Sequence, residues 1–473
     1  MALGRRKTER QEAFWIGAAE LPRSEGHVFY RKLNELLSEA SFDEFVETLC
    51  QTHYHDTQGR PGIPPGVYFR MLLVGYFEGI GSQRGIAWRC NDSLSLREFL
   101  GVSLSEDTPD HSSLSRVRDR LPLEVHAAVF QFVLQQAEAK GLLKGKTIAV
   151  DATTLEANAA MKSIVRRDTG EDWNEYVKRL MREAGEIEEG DEPTVEEIAR
   201  FDRKRKDKKV SNQEWQSETD PDSRITKMKD GRTHLAYKAE HAIDLETGVI
   251  LAAPVYDADE SDANTIGPTV SEAQDNLVAA DSQADIKEVV GDKGYHKNET
   301  LAELEFTEGL RTYVAEPKQN QPRNWQNKPE EQRRAVTNNR RRIRGDRGRV
   351  LQRKRSEKVE RSFAHVCETG GGRRAWLRGI DKVRKRHLMT AMAHNLGVVM
   401  RGLFGIGTAR SLQAAGGLAD DLCFALFNVL RLLASQFAPS SPNLAMPALS
   451  TRIGRKAILA RISQRKLTFS TGC

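Results

Sequence analysis

The sequence predicts an α/β protein: a mixed five-stranded sheet flanked by helices, with an all-helical N-terminal domain and a helical C-terminal tail. Three observations carry this. From about residue 25 to 145, apolar positions recur at helical spacing. From Lys146 the chain changes to alternating strand-like and helix-like segments. Two short apolar runs, KTIAVDATTLEAN at 146–158 and IKEVVGDKGY at 286–295, each end in an aspartate, Asp151 and Asp292. Each reads as a buried strand that delivers an acid to its end.

The bulk numbers allow this architecture. A chain of 473 residues suggests two to four domains, and a hydrophobic content of 39% can fill their cores. The net charge of +5 is small, but the basic residues are unevenly placed, so the average hides patches. The five cysteines have no CxxC spacing and are odd in number, which argues for reduced thiols rather than a disulfide framework or a structural zinc. The basic N-terminus MALGRRKTER is followed by no apolar signal core, and no apolar run is long enough for a membrane span. A cytoplasmic, nucleoid-associated setting is expected, with no membrane partner.

Residues 1–145 form the expected first domain. Helical spacing is clear in FYRKLNELLSEASFDEFVETL and in YFRMLLVGYFEGI, with Pro61, Pro64 and Pro65 between them. In SQRGIAWRCNDSLSLREFLG, Ser82 is a candidate cap, Asn91-Asp92 a turn, and Leu94–Leu100 a second helix, a helix-turn-helix-like arrangement. TPDHSSLSRVRDRLP offers Asp110 or Ser112 as a cap for a helix carrying Arg116, Arg118 and Arg120, and Leu123–Ala139 reads as the last helix. Arginines on a solvated face are the bland reading. The alternative is DNA contact through Arg116 and Arg118.

The second domain is expected over 146–404. After the Asp151 strand comes a charged stretch, 163–225, which reads as a polar insertion, partly mobile, with one surface helix around Trp173–Met181. His234–Ile243 and Val249–Val255 flank a Leu245–Gly248 loop and read as a hairpin. A helix over Asp262–Asn276, a strand over Ile286–Val290, a helix over His296–Leu304 and a strand over Leu310–Ala315 follow. Without insertions this is the RNase H-like order, which places the Asp151 strand centrally, beside the strand that ends at Asp292. A second insertion, 318–355, is the most basic part of the chain. Its Arg340, Arg341, Arg342, Arg344, Arg353 and Arg355 suit a DNA backbone, although a solvated basic loop has the same composition. A helix then runs from Arg355 to Thr369, ending at three glycines, and a further helix spans Ile380–Leu403. Residues 405–473 read as a helical tail of unreadable purpose.

Glu360, in SEKVERSFAHV, supplies a third acid. Two strand-end aspartates and a helical glutamate are the oxygen-ligand set that suits Mg²⁺, with Mn²⁺ as a substitute. Two such ions can activate an attacking oxygen and stabilise a leaving one at phosphorus. A lone strand-end aspartate is more often a cap or a turn residue. It is the three together, in this order and beside a basic stretch, that point to phosphoryl transfer.

The chain resembles bacterial insertion-sequence transposases of the DDE type, those with a helical N-terminal domain, an RNase H-like core and a VER-x-F glutamate segment. The resemblance rests on GRPGIPPGVYFRMLLVGYFEGIGSQRGIAWRCNDSLSLREFLG, TPDHSSLSRVRDRL, IAVDATTLEAN, HLAYKAEHAIDLETGVI, VVGDKGYHKNETL, SEKVERSFAHV and NLGVVMRGL, over about residues 25–405. It implies a triad of Asp151, Asp292 and Glu360 holding divalent metal. It also implies cleavage at terminal inverted repeats, strand transfer to target DNA, and assembly as a homodimer or larger on double-stranded DNA. Many relatives place Tyr, Arg and Lys around the glutamate where this chain has Arg353, Ser356 and Cys367. Arg355 or Arg361 is then the candidate for the phosphate contact, and Glu357, one turn away, competes with Glu360. Lys293 and Tyr295 are further candidates for the scissile strand, with turn packing an equal reading for Tyr295. Two rivals stay open: a nuclease that cuts without joining, and an inactive transposase-derived DNA-binding protein.

Overall fold

A computed structural model describes residues 27–409, except 56–58, 60–61, 207–209, 229–230 and 319–322. The helical reading of the tail therefore lies, beyond residue 409, outside the described residues.

The N-terminal part is helical throughout, and its caps are those the sequence encodes. Helix α1 (Val28–Glu39) and α2 (Phe42–Cys50) bury Phe29, Leu33, Leu37, Phe42 and Val46 against α3 (Pro65–Glu78). Proline opens α3, where its missing N–H costs nothing, and Gly79 closes it at φ +70°. Helix α4 (Gln83–Asn91) is capped by Ser82, whose Oγ accepts from Gly85 N at 3.1 Å. Helix α5 (Leu94–Leu100) follows directly, capped by Ser93. Helix α6 (His111–Arg120) takes Asp110 as its cap, with Ser113 N donating at 2.7 Å; Ser112 bonds the same carboxylate. Helix α7 (Leu123–Ala139) ends the region.

Strand β1 (Thr147–Glu156) opens the sheet and runs five residues beyond Asp151, paired with the partner strand Thr233–Asp244 as far as Glu156, so Asp151 stands within the strand and not at the end expected from where the apolar run stops. The polar stretch that follows holds β2 (Ile164–Arg166), α8 (Trp173–Glu183), α9 (Val195–Lys204) and β3 (Trp215–Ser217), with β2 and β3 paired antiparallel. Both helices start with a full capping box, at Asp172/Glu175 and Thr194/Glu197. Val177, Met181 and Ile198 make a small core of their own. This is more order than the composition suggests: a few apolar residues at helical spacing suffice once both helices are capped.

The main sheet continues with β4 (Arg224–Lys227), β5 (Thr233–Asp244), β6 (Ile250–Ala252) and β7 (Val255–Asp257). Helix α10 (Asp262–Ala279), β8 (Glu288–Gly291), α11 (Asn298–Ala302) and β9 (Arg311–Val314) complete it. The strand order is β4-β5-β1-β8-β9, with β6 and β7 also paired to β5. β5 lies antiparallel to β1, whereas β8 and β9 run parallel to it and to each other. The expected hairpin is present, turning at Gly248 (φ +84°) and broken at Pro254 into β6 and β7, as a residue with no N–H to donate would do. This is the RNase H-like mixed sheet. The helix expected over 296–304 is shorter and passes into a π-helical turn at Glu303–Thr307.

The basic stretch is helical as well. Helix α12 (Glu330–Arg344) lies along β9, where Asn339 closes the sheet edge: its Oδ1 accepts from Val314 N and its Nδ2 donates to Val314 O, both at 2.8 Å. Helix α13 (Asp346–Phe363) crosses one face of the sheet and runs into a π-helical segment, Ala364–Thr369. Helix α14 (Ile380–Phe404) packs beside it and also against α7 and α3. Helix α10 covers the opposite face. β5, covered on both faces, is buried from Leu235 to Asp244. Among the described residues no helix is long and apolar enough to cross a membrane.

Candidate active site

The site starts from register. β1 and β8 are parallel neighbours, and Ala149 pairs with Val290. Two residues further along each chain stand Asp151 and Asp292. The two acids therefore lie level at adjoining strands, whose usual spacing is about 4.8 Å. Asp292 caps the single turn Lys293–Tyr295, its Oδ1 accepting from Gly294 N at 2.7 Å. Asp151 points to the α13 face. Its Oδ1 accepts from Ala152 N at 2.9 Å, and its Oδ2 from Arg355 Nη1 at 2.5 Å. Gln352, one turn before Arg355, donates to the carbonyls of Gly291 and Tyr313 and so pins α13 over β8 and β9.

Behind Asp151 the face is closed. His241 sits opposite it on β5, stacked on Phe363 with ring centroids 4.2 Å apart. Its nitrogens meet Ser362 Oγ and His387 Nε2, each at 3.0 Å. Burial, and then the neighbouring histidines, hold His241 well below the ordinary imidazole range. Burial, and then the Arg386 charge, push His387 down to about 4. This neutral pair is a packed support for α13.

Glu360 is exposed, and about 100° round α13 from the buried Val359. Glu357 is also exposed and pairs with Arg361 at 3.0 Å. Among the described residues, no group of three or more His, Cys, Asp or Glu stands at metal-ligating spacing. The two aspartates have the chemistry and placement for a hard divalent cation. With Glu360 they do not make such a three-residue group.

The ten candidate DNA-contact residues divide into groups. Arg340 bonds Glu316 through two nitrogens, Arg342 does the same to Glu305, and Arg355 holds Asp151. Arg118 is buried, and Arg361 lies in the surface pair with Glu357. Arg116, Lys293, Arg341, Arg344 and Arg353 are exposed.

The opposite face of the same strands carries a polar network that composition did not reveal. Glu240 is fully buried, next to Lys238 Nζ at 3.1 Å. Its oxygens accept from Thr265 Oγ1 at 2.5 Å, Thr269 Oγ1 at 2.6 Å and Tyr295 Oη at 3.1 Å. Lys238 also pairs with Asp262 at 2.7 Å. Asp262 Oδ2 and Asp292 Oδ1 both crowd the place a Cβ on Gly294 would take, at 2.3 and 3.0 Å. This ties the Asp292 turn to α10, and it buries Tyr295 as a packing residue. The signal was in HLAYKAEHAID: Lys238 and Glu240 alternate with apolar residues on a strand too central to leave them solvated.

Two family models match the chain. One, described as a transposase domain, covers residues 19–120; the other, described as a transposase DDE domain, covers 144–396, more than half of the chain. Asp151, Asp292 and Glu360 all lie within the second. No curated protein and no solved structure matches the chain.

Proposed function

The chain belongs to the DDE transposases, proteins that act on DNA and generally use divalent metal, and on that premise we propose the reaction it performs. It binds the terminal inverted repeats of its own insertion sequence and cuts at the ends by metal-dependent hydrolysis. Water attacks the phosphorus, the bond to the 3′-oxygen breaks, and that oxygen leaves with a proton as a 3′-hydroxyl. The hydroxyl then attacks a target phosphodiester, forming a new P–O bond as the target's own 3′-oxygen departs. The protein acts as a homodimer or larger assembly on DNA.

The observation that carries this is the level placement of Asp151 and Asp292 on the two central parallel strands. These carboxylates, with Glu360 as third acid, would hold Mg²⁺ or Mn²⁺. The metal supplies Lewis-acid stabilisation of the attacking and leaving oxygens. Arg355 balances the Asp151 charge and has donors suited to a phosphate oxygen once DNA arrives. Lys293, beside Asp292, touches the scissile strand. Arg116, Arg341, Arg344 and Arg353 bind backbone phosphates, and Arg340, Arg342 and Arg361 would join them only by leaving their present carboxylate partners, while Arg118 is buried in the lining of a cavity.

The test is nicking of a labelled duplex carrying the element's ends, in Mg²⁺, Mn²⁺ or EDTA, followed by recovery of the 3′ end joined to a second duplex. Asp151→Ala, Asp292→Ala and Glu360→Ala should each abolish metal-dependent nicking while DNA binding is retained. Nicking that survives in Glu360→Ala but not in Glu357→Ala moves the third acid by one turn. Binding without cleavage in any metal supports an inactive DNA-binding protein. Cleavage without joining leaves a nuclease.

A further inference from the structure

A cavity that neither aspartate lines lies at the seam between the N-terminal helices and α14. It encloses about 660 Å³. Tyr68 and Tyr76 of α3 form one wall, Trp376 lies across from Gly81, and Arg118, Lys385 and Arg386 line it. Asn158, just beyond the end of β1, also lines it and donates to Trp376 O at 3.1 Å.

The charges in this cavity do not balance. Arg118 is buried, and its Nε has no hydrogen-bond partner. The carboxylate paired with it, Asp119, is 3.6 Å away, half exposed, and shared with Lys382 at 3.2 Å. Lys385 is buried and paired with Asp381 at 2.6 Å. Arg386 donates to a carbonyl, Gly371 O, at 3.0 Å. Burial, and then the charge of Arg118, push Arg386 down to about 10. A buried guanidinium whose Nε has no hydrogen-bond partner, in a cavity that Arg386 and Lys385 also line, is costly unless an anion enters. The aromatic walls add a surface on which a ring or sugar can lie.

We propose that this cavity is a phosphate-binding site for a phosphate monoester or diester, with Arg118 and Arg386 as its clamp and Tyr68, Tyr76 and Trp376 beside the attached nucleoside. Guanidinium forks match phosphate oxygens in pairs, and phosphate supplies the charge the cluster lacks. The site is separate from Asp151 and Asp292 and requires no metal. Its ligand is either a backbone phosphate of DNA or a free nucleotide.

The test uses the whole chain in EDTA, so that its outcome is independent of catalysis. Inorganic phosphate replaces chloride at constant ionic strength while the thermal midpoint is followed. Wild type should melt several degrees higher in phosphate, since a ligand that binds only the folded state raises the midpoint. The Arg118→Gln/Arg386→Gln variant should lose that rise and should melt no lower than wild type without phosphate, because the buried charge of Arg118, with its unpartnered Nε, is gone. Hydrogen exchange on wild type gives a second readout: phosphate should slow exchange in peptides covering 111–120 and 370–390. Deoxyadenosine monophosphate and a 20-base-pair duplex are then added together. Protection lost to the nucleotide when duplex is present identifies the backbone as the source, and simultaneous binding identifies a free nucleotide. A phosphate response no larger than that of chloride, or one equally large in the double variant, overturns the proposal.

Discussion

Gly294→Ala tests the reading of the Asp292 turn most directly. The backbone there is not left-handed, so space alone excludes a side chain. The added Cβ would stand 2.3 Å from Asp262 Oδ2, 3.3 Å from Asp262 Cγ and 3.0 Å from Asp292 Oδ1. An ordinary carbon–oxygen contact needs about 3.3 Å, so about 1 Å must be found. Neither carboxylate yields easily. Asp262 is held by Lys238 at 2.7 Å, and Asp292 by the amide of residue 294 itself at 2.7 Å. Overpacking of this kind costs about 1–3 kcal/mol. A shift of about 1 Å in a reacting group can cost on the order of 100-fold in rate. Urea denaturation should show the first effect, and single-turnover nicking of the element's ends the second. Gly267→Ala is the control: nothing lies within 4 Å of its added Cβ, so it should be neutral or stabilise α10 by up to about 1 kcal/mol. If Gly294→Ala nicks within threefold of wild type and unfolds at the same urea concentration, Asp262 does not position Asp292.

Glu240→Ala should destabilise the chain by about 3–5 kcal/mol, because it removes one of the two carboxylates paired with the buried Lys238 and leaves the hydroxyls of Thr265, Thr269 and Tyr295 without their acceptor; a urea midpoint equal to wild type would refute this. Stability should fall on acidification from pH 7 to 5. His126 and His387 are pushed down to about 4 and His394 to about 3, burial being the first cause in each. The unfolded chain binds those protons near 6.5, so their stabilisation is complete above 6.5. It is lost as pH falls toward the folded values, at up to about 1.4 kcal/mol per unit per histidine. Urea midpoints that stay level between pH 7 and 5 would contradict it. Ile198→Ala should loosen α8 and α9 locally, opening 164–217 to protease while the sheet's protection in hydrogen exchange is unchanged.

How much of this could be read beforehand depended on whether a signal was local. The Ser82 and Asp110 caps, the proline opening α3 and the glycine turn after β5 are written within a few residues, and the structure has each. The end of α11 was not legible, because a π-helical turn has no local code of its own. The basic stretch looked like an open surface because composition counts arginines but not their partners. Glu316, Glu305 and Glu288 are 24, 37 and 59 residues from Arg340, Arg342 and Arg347, and only folding brings them together. The cavity clamp is more remote still, with Arg118 on α6 and Arg386 on α14.

By itself, then, the sequence determined the element order, and with it that Asp151 and Asp292 belong to neighbouring strands; that β1 runs on past Asp151 to Glu156 it did not show. Hydrophobic periodicity is a local property, and one-residue steps decide which face a strand side chain takes. Only the tertiary structure decided which charges are already spent on the fold and which face solvent or a cavity. That depends on burial and on pairs far apart in the chain, which no window of sequence contains. Asp151 with Arg355, Glu240 with Lys238 and Tyr295, and Arg118 with Arg386 in the lining of one cavity all belong to this second kind.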